Sequence, residues 1–140
     1  MNDELFYRLA LNFIPSITNS CIKKLIRTFG TATAVFQTPQ EKIQRTQKNR
    51  VPPIQIDREV EKQAKVEYAY LEKNKIQVIY FDQPEYPVRM YQCAGYPNLF
   101  FYKGESIFQN EKVVSIVGTR NVSSYGTDVV QKIISELAVC

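Results

Sequence analysis

The chain has no histidine, three cysteines and five glycines in 140 residues. Without an imidazole, triad chemistry and histidine general-base catalysis are excluded. Cys21, Cys93 and Cys140 lie far apart and form no Cys-x-x-Cys pair, so zinc-ligand spacing is absent. They read as small buried hydrophobes in a reducing cytoplasm. No apolar run approaches the roughly 18–20 residues of a membrane span. The N-terminus, Met1-Asn2-Asp3-Glu4, lacks the basic, then apolar pattern of a secretory signal. Acidic residues are scattered, with no close carboxylate pair in apolar surroundings, which excludes glycosidase-like and metal-carboxylate sites. Neither a cofactor, a metal nor a catalytic group is expected from these residues.

What is present is the composition of a folded chain, 44% hydrophobic and 23% charged, long enough for one domain or two small ones. The net charge of +4 is unevenly placed. Between residues 22 and 50 stand Lys23, Lys24, Arg27, Lys42, Arg45, Lys48 and Arg50 against Glu41 alone. That stretch carries +6 and the remainder −2. Such a local field suits a polyanion, and equally a solvated helical face.

Residues 1–74 read as helices. Asn2 is placed to cap a first helix with Asp3 and Glu4 in its first turn; Leu5, Leu9 and Phe13 share a face and Pro15 ends it. A second helix begins near Thr18, with Ile22, Leu25, Ile26 and Phe29 as its apolar stripe and Gly30 as a left-handed cap. A short helix spans Ala32–Phe36. Thr38-Pro39-Gln40-Glu41 reads as a capping box opening a fourth, broken by Val51-Pro52-Pro53. Asp57 caps a fifth, with Val60, Ala64, Tyr68 and Leu71 on one side and Asn74 at its end.

After Lys75 the pattern changes. Ile76–Phe81 is β-rich, Asp82–Pro87 is a loop, and Asn98–Gly104 reads as a strand and turn. Val113–Val117 is an apolar run suited to a strand buried on both faces. A helix from about Tyr125 to Val139 follows, with Val129, Ile133 and Leu137 on one side. A lone strand and helix do not bury the faces of a doubly wound sheet. The α/β unit is therefore expected to be incomplete, and the chain a piece of a longer protein or a truncated product. With an open sheet edge, it is expected to self-associate or to leave its last helix poorly ordered.

The segment that carries chemistry is Val113–Gly126. Gly118-Thr119-Arg120 follows the apolar run, and Ser123-Ser124-Tyr125-Gly126 opens the helix. Glycine permits close backbone approach, free amides at a helix start face an anion, and arginine grips phosphate in a bidentate manner. Position 120 holds Arg where the dinucleotide fingerprint needs glycine, and Gly-Lys-Ser/Thr is missing. The alternative is an ordinary turn whose Arg pairs with a carboxylate. Dense aromatics, among them Tyr86, Tyr91, Tyr96 and Phe101, suit either core packing or base stacking.

Val-Ser-Ile-Val-Gly-Thr-Arg-Asn-Val-Ser-Ser-Tyr-Gly resembles the start of the Rossmann domain of the bacterial DNA-processing protein A family (DprA, also called Smf). Tyr86-Pro87, followed by Pro97-Asn98-Leu99-Phe100-Phe101-Tyr102-Lys103-Gly104, resembles that family's approach segment. The N-terminal helices resemble its sterile-alpha-motif-like or helix-hairpin-helix domain, although the loop Pro15-Ser16-Ile17-Thr18 lacks the glycines through which such hairpins meet phosphate. The resemblance implies an α plus α/β fold: a helical domain over 1–74, then the truncated start of a Rossmann-type parallel sheet over 75–140. It implies a non-enzymatic, cytoplasmic single-stranded DNA binder that acts in natural transformation, loads a RecA-type recombinase through regions absent here, and forms a homodimer at full length. Gly118, Thr119, Arg120 and Ser123 would contact DNA phosphate; Lys23, Lys24 and Arg27 are possible secondary contacts. The competing class is a Rossmann-type nucleotide-binding enzyme or sensor whose catalytic residues lie past residue 140.

Overall fold

The computed structural model describes residues 2–15, 17–48, 51–105 and 114–137. They fall into two compact units, Met1–Gln109 and Asn110–Cys140. Described residues are mostly helical with a small antiparallel sheet, an α+β composition.

In the first unit the helices start where the sequence places their caps. Helix α1 (Asp3–Phe13) begins at Asn2, whose side chain accepts the Leu5 amide. Helix α2 (Asn19–Phe29) begins at Thr18, which accepts from the Cys21 amide, and stops at Gly30 with φ 92°. Only glycine adopts that conformation without strain. Helix α5 (Arg58–Asn74) is capped by Asp57, which accepts the Val60 amide at 2.8 Å. Between them lie α3 (Ala32–Gln37), capped by Thr31, and α4 (Gln40–Thr46).

The capping box expected at Thr38 does not form. Thr38 ends α3, and its hydroxyl donates to the Ala34 carbonyl at 2.7 Å. Helix α4 starts at Pro39 with no side-chain cap. A hydroxyl committed to the preceding helix is not available to the next one.

Helix α1 lies at the centre. It packs against α5, α3 and α2, so its burial spreads beyond the expected stripe: Phe6, Leu9, Ala10 and Leu11 are all buried, whereas Leu5 and Phe13 are partly buried. Strands β1 (Gln77–Tyr80) and β2 (Leu99–Tyr102) pair antiparallel, Gln77 opposite Tyr102 and Tyr80 opposite Leu99. A 3-10 turn at Val88–Gln92 sits in the connection.

Two polar clamps join this hairpin to the helices. Arg8, 3% exposed, donates both terminal nitrogens to the Asp82 carboxylate at 2.7 and 2.8 Å and its Nε to Glu4 at 2.6 Å. Its guanidinium stacks 4.1 Å from the Tyr80 ring centre. Glu4 also accepts the Ala32 and Thr33 amides and the Thr33 hydroxyl, so it caps α3 from α1. In the second clamp buried Asn98 donates to Asn12 and Asn19, while Asn12 donates back to Asn98 and to the Arg8 carbonyl.

The second unit differs from expectation. The parallel Rossmann-type sheet is not seen: the sheet of the described residues is the β1–β2 pair. Val114–Val117 carry no strand and are exposed, Val117 at 91%; Val113 lies outside the described residues. An apolar run becomes a strand only when neighbours take up its amides and carbonyls, and no described strand pairs with this one. Helix α6 (Ser124–Leu137) forms as expected, although Val139 and Cys140 lie outside the described residues. Ile133 and Leu137 on its apolar side are exposed. Among the cysteines, Cys93 is exposed and Cys21 half-buried, against the expected burial, because Cys93 ends the surface 3-10 turn.

Burial raises the pKa of Glu4, but the hydrogen bonds from Thr33, Ala32 and Arg8 outweigh it and hold the carboxyl below its ordinary 4.5. A depressed carboxyl contributes stability above its unfolded value that is lost as pH falls through the folded one. Urea unfolding of Glu4→Gln is therefore expected to show a deficit at pH 7 that narrows below about pH 4.5. Arg8→Ala is expected to destabilise by about 3 kcal/mol, the low end for a broken buried pair because both carboxylates keep some water.

Candidate nucleic-acid interface

In the second unit the Gly118–Ser123 loop leads into α6. Ser123 caps the helix: its hydroxyl oxygen accepts the Gly126 amide at 3.2 Å and its carbonyl accepts the Thr127 amide at 3.0 Å. A Cβ at position 126 would sit 3.1 Å from Val122 Cγ2 and 3.4 Å from Ser123 Oγ, so glycine there lets the first turn close. At Gly118 a Cβ would meet nothing within 4 Å, and φ is not left-handed. Neither packing nor backbone geometry within the described residues calls for glycine at 118.

Thr119 Oγ1 donates to the Asn121 carbonyl at 2.8 Å, which folds the turn back on itself. Arg120 is exposed and pairs with no carboxylate among the described residues. The amides of Ser124 and Tyr125 donate to no described backbone acceptor. The loop thus presents a guanidinium and helix-start amides to solvent, the groups that hold an anion.

The three cations expected on α2 differ in role. Lys24 is exposed. Lys23 is 6% exposed; its ammonium donates to the Tyr96 carbonyl at 2.8 Å and lies 3.1 Å from the Tyr96 ring centre. Loss of water, then the neighbouring Arg27 cation, lowers its pKa. Arg27 is exposed, donates to the Tyr96 hydroxyl at 2.6 Å and lies 5.4 Å from the Phe81 ring centre. The helical period put Lys23 off the apolar stripe, but the period does not register a carbonyl 73 residues away that accepts its ammonium. Arg50 lies outside the described residues.

The same segment holds three packed tyrosines. Tyr86 and Tyr91 ring centres are 5.2 Å apart, as are Tyr91 and Tyr96. Buried Tyr86 donates to the Pro97 carbonyl at 2.7 Å. Its hydroxyl is pushed up to about 12 by burial and by the neighbouring Tyr91 and Tyr96. Among the described residues no three His, Cys, Asp or Glu side chains are grouped to hold a metal, and no helix is long and apolar enough to cross a membrane.

Residues 77–140 match the family described as DNA recombination-mediator protein A. The match supports assignment of that segment to the family. No curated protein matches the chain. The matched segment begins at β1, in the first compact unit, and continues through the Gly118-Thr119-Arg120 turn and α6.

Two outcomes follow from the clamped side chains. Lys23→Ala is expected to lose about 1–3 kcal/mol of stability, because the Tyr96 carbonyl loses its donor, whereas Lys24→Ala stays within about 0.5 kcal/mol; urea midpoints measure both. A tyrosine with a raised folded pKa contributes stability below its unfolded value of 10 that is lost as pH rises through about 12. Between those limits the wild type is expected to lose stability more steeply than Tyr86→Phe, read by denaturant titration at each pH.

Proposed function

We propose that this chain is a non-enzymatic single-stranded DNA-binding protein of DNA recombination, working in the cytoplasm, and that Gly118, Thr119, Arg120 and Ser123 hold a DNA phosphate. The observation that carries the reading is the coincidence of the family match with an exposed Arg120 that pairs with no described carboxylate. Gly118 leaves open space beside it, and the helix-start amides add donors for the same anion. The matched family's role as a recombination mediator supports the finer parts of the reading: protection of incoming strands in natural transformation, hand-over to a RecA-type recombinase, and pairing with a second copy.

The domain division belongs to the same proposal. A helical module over 1–74 would precede a Rossmann-like module that begins at 75, in which Val113–Val117 becomes a central parallel strand once neighbouring strands cover it. Lys24 and Arg27 would add phosphate contacts, while Lys23 would serve the fold through Tyr96.

The experiment is titration of a fluorescein-labelled oligodeoxythymidylate with the 140-residue chain over a range of salt. Binding is expected at low salt, weakening as salt rises. Arg120→Ala is expected to weaken it about tenfold, the loss of one charge-assisted contact, and to reduce the salt slope by roughly 0.7. Absence of binding by the wild type, together with a rise in melting temperature on adding a free nucleotide, would favour the nucleotide-enzyme class instead.

A further inference from the structure

Tyr91 is unusual among the packed aromatics. The residue is 43% exposed, yet it is held from three sides. Its hydroxyl donates to the Phe81 carbonyl at 2.6 Å. Its ring lies 5.2 Å from Tyr86 at an interplanar angle of 43° and 5.2 Å from Tyr96 at 79°. Since the hydroxyl is turned inward to a carbonyl, what Tyr91 shows to solvent is mainly ring. An exposed apolar ring usually loses little by moving; this one is fixed in place before any ligand arrives, which removes an ordering cost from binding.

Its surroundings choose the ligand. Arg27 bridges toward the Tyr96 hydroxyl and the Phe81 ring, and its cation acts electrostatically on Tyr91. The guanidinium has five N–H donors, and one bond to a described acceptor is formed, that to Tyr96. Exposed Lys24 precedes it by three residues on the same helix, which places the two side chains as neighbours. Asp82 is a carboxylate that acts on Tyr91, and both of its oxygens accept from Arg8. A fixed ring edged by cations, with the Asp82 carboxylate already paired to Arg8, disfavours a cationic guest. It fits a ligand that offers a flat ring and an anion within one repeat, which describes a nucleotide of a single strand.

We propose that Tyr91 is a base-stacking platform for single-stranded nucleic acid, with Arg27 holding the adjacent phosphate. This is a second contact on the first compact unit, separate in sequence from the Gly118-Thr119-Arg120 turn. It rests on the proposed function only for the choice of a single strand as the polymer.

The chain contains no tryptophan, so Tyr91→Trp installs a single indole reporter at the platform. Added oligodeoxythymidylate is expected to quench that indole, and an abasic oligomer of the same length, which offers phosphate without a ring, is expected to leave it bright. In the titration by labelled strand, Tyr91→Ala is expected to weaken binding about tenfold, within the range for one base stacked on an aromatic ring. Tyr91→Phe, which keeps the ring and loses the hydroxyl, is expected to bind within about twofold of the wild type. Arg27→Ala is expected to lower the salt slope. If the strand binds in an Arg120-dependent manner while the indole stays bright and Tyr91→Ala binds as the wild type does, the platform is overturned and the phosphate turn stands. Equal quenching by the abasic oligomer overturns stacking in favour of charge alone. If the indole is quenched by an acidic peptide and not by the strand, the surface is a protein contact and the proposal fails. A wild type that binds no strand at all overturns both this platform and the proposed function.

Discussion

The Arg8 guanidinium is the constraint on which the first unit depends. It is buried, and a buried cation is tolerated only where opposite charge and acceptors surround it. Glu4 supplies one carboxylate from the same helix and Asp82 the other from the loop after β1. Glu4 then spends its remaining acceptor capacity on the first amides of α3. One charged side chain thereby fixes three segments distant in sequence: α1, the start of α3 and the base of the hairpin. Replacing such a network by apolar residues need not weaken a protein. What the fork of two parallel bonds to Asp82 adds is angular definition, since a planar guanidinium donates to both oxygens of a carboxylate in few orientations.

That definition reaches the candidate interface. Asp82 immediately follows Phe81, whose carbonyl holds the Tyr91 hydroxyl and whose amide donates to Asn98. Asn98 is in turn locked to α1 and α2 through Asn12 and Asn19. Tyr96, two residues earlier, receives Lys23 and Arg27 from α2. The family match begins at residue 77, so the Phe81 bonds lie within the matched segment, while those from Asn98 to Asn12 and Asn19 and from Lys23 and Arg27 to Tyr96 join it to helices outside it. The helical region contributes cations and clamps to a segment that has few cations of its own.

Local signals were legible in the sequence where the physics is local. Asn2, Thr18 and Asp57 cap the helices they precede, Gly30 ends α2 in the left-handed region, and the period of Ile22, Leu25 and Ile26 marks the buried face. The failures share a cause. Thr38 looked like a cap because the pattern ignores that a preceding helix already claims its hydroxyl. Lys23 looked like a surface cation because its acceptor lies 73 residues on. Val114–Val117 looked like a strand because its residues suit one, but a strand is a property of a pair. The Asn12–Asn98–Asn19 clamp left no signal, since isolated asparagines carry no period.

The same contrast separates the residues a fold consumes from those it leaves over. Gly126 is accounted for by the closing turn of α6, and Arg8 by its two carboxylates. Gly118 and Arg120 have no such account within the described residues: the glycine lacks both a close neighbour and a left-handed φ, and the arginine lacks an acceptor. Local choices that the fold does not require are expected where a ligand requires them. Arg27 stands between these cases, with one donor spent on Tyr96 and its guanidinium still open to water. Charge counting over residues 22–50 ranks Lys23, Lys24 and Arg27 alike. Only the acceptors around each one distinguish a cation that builds the fold from one left free to meet a phosphate.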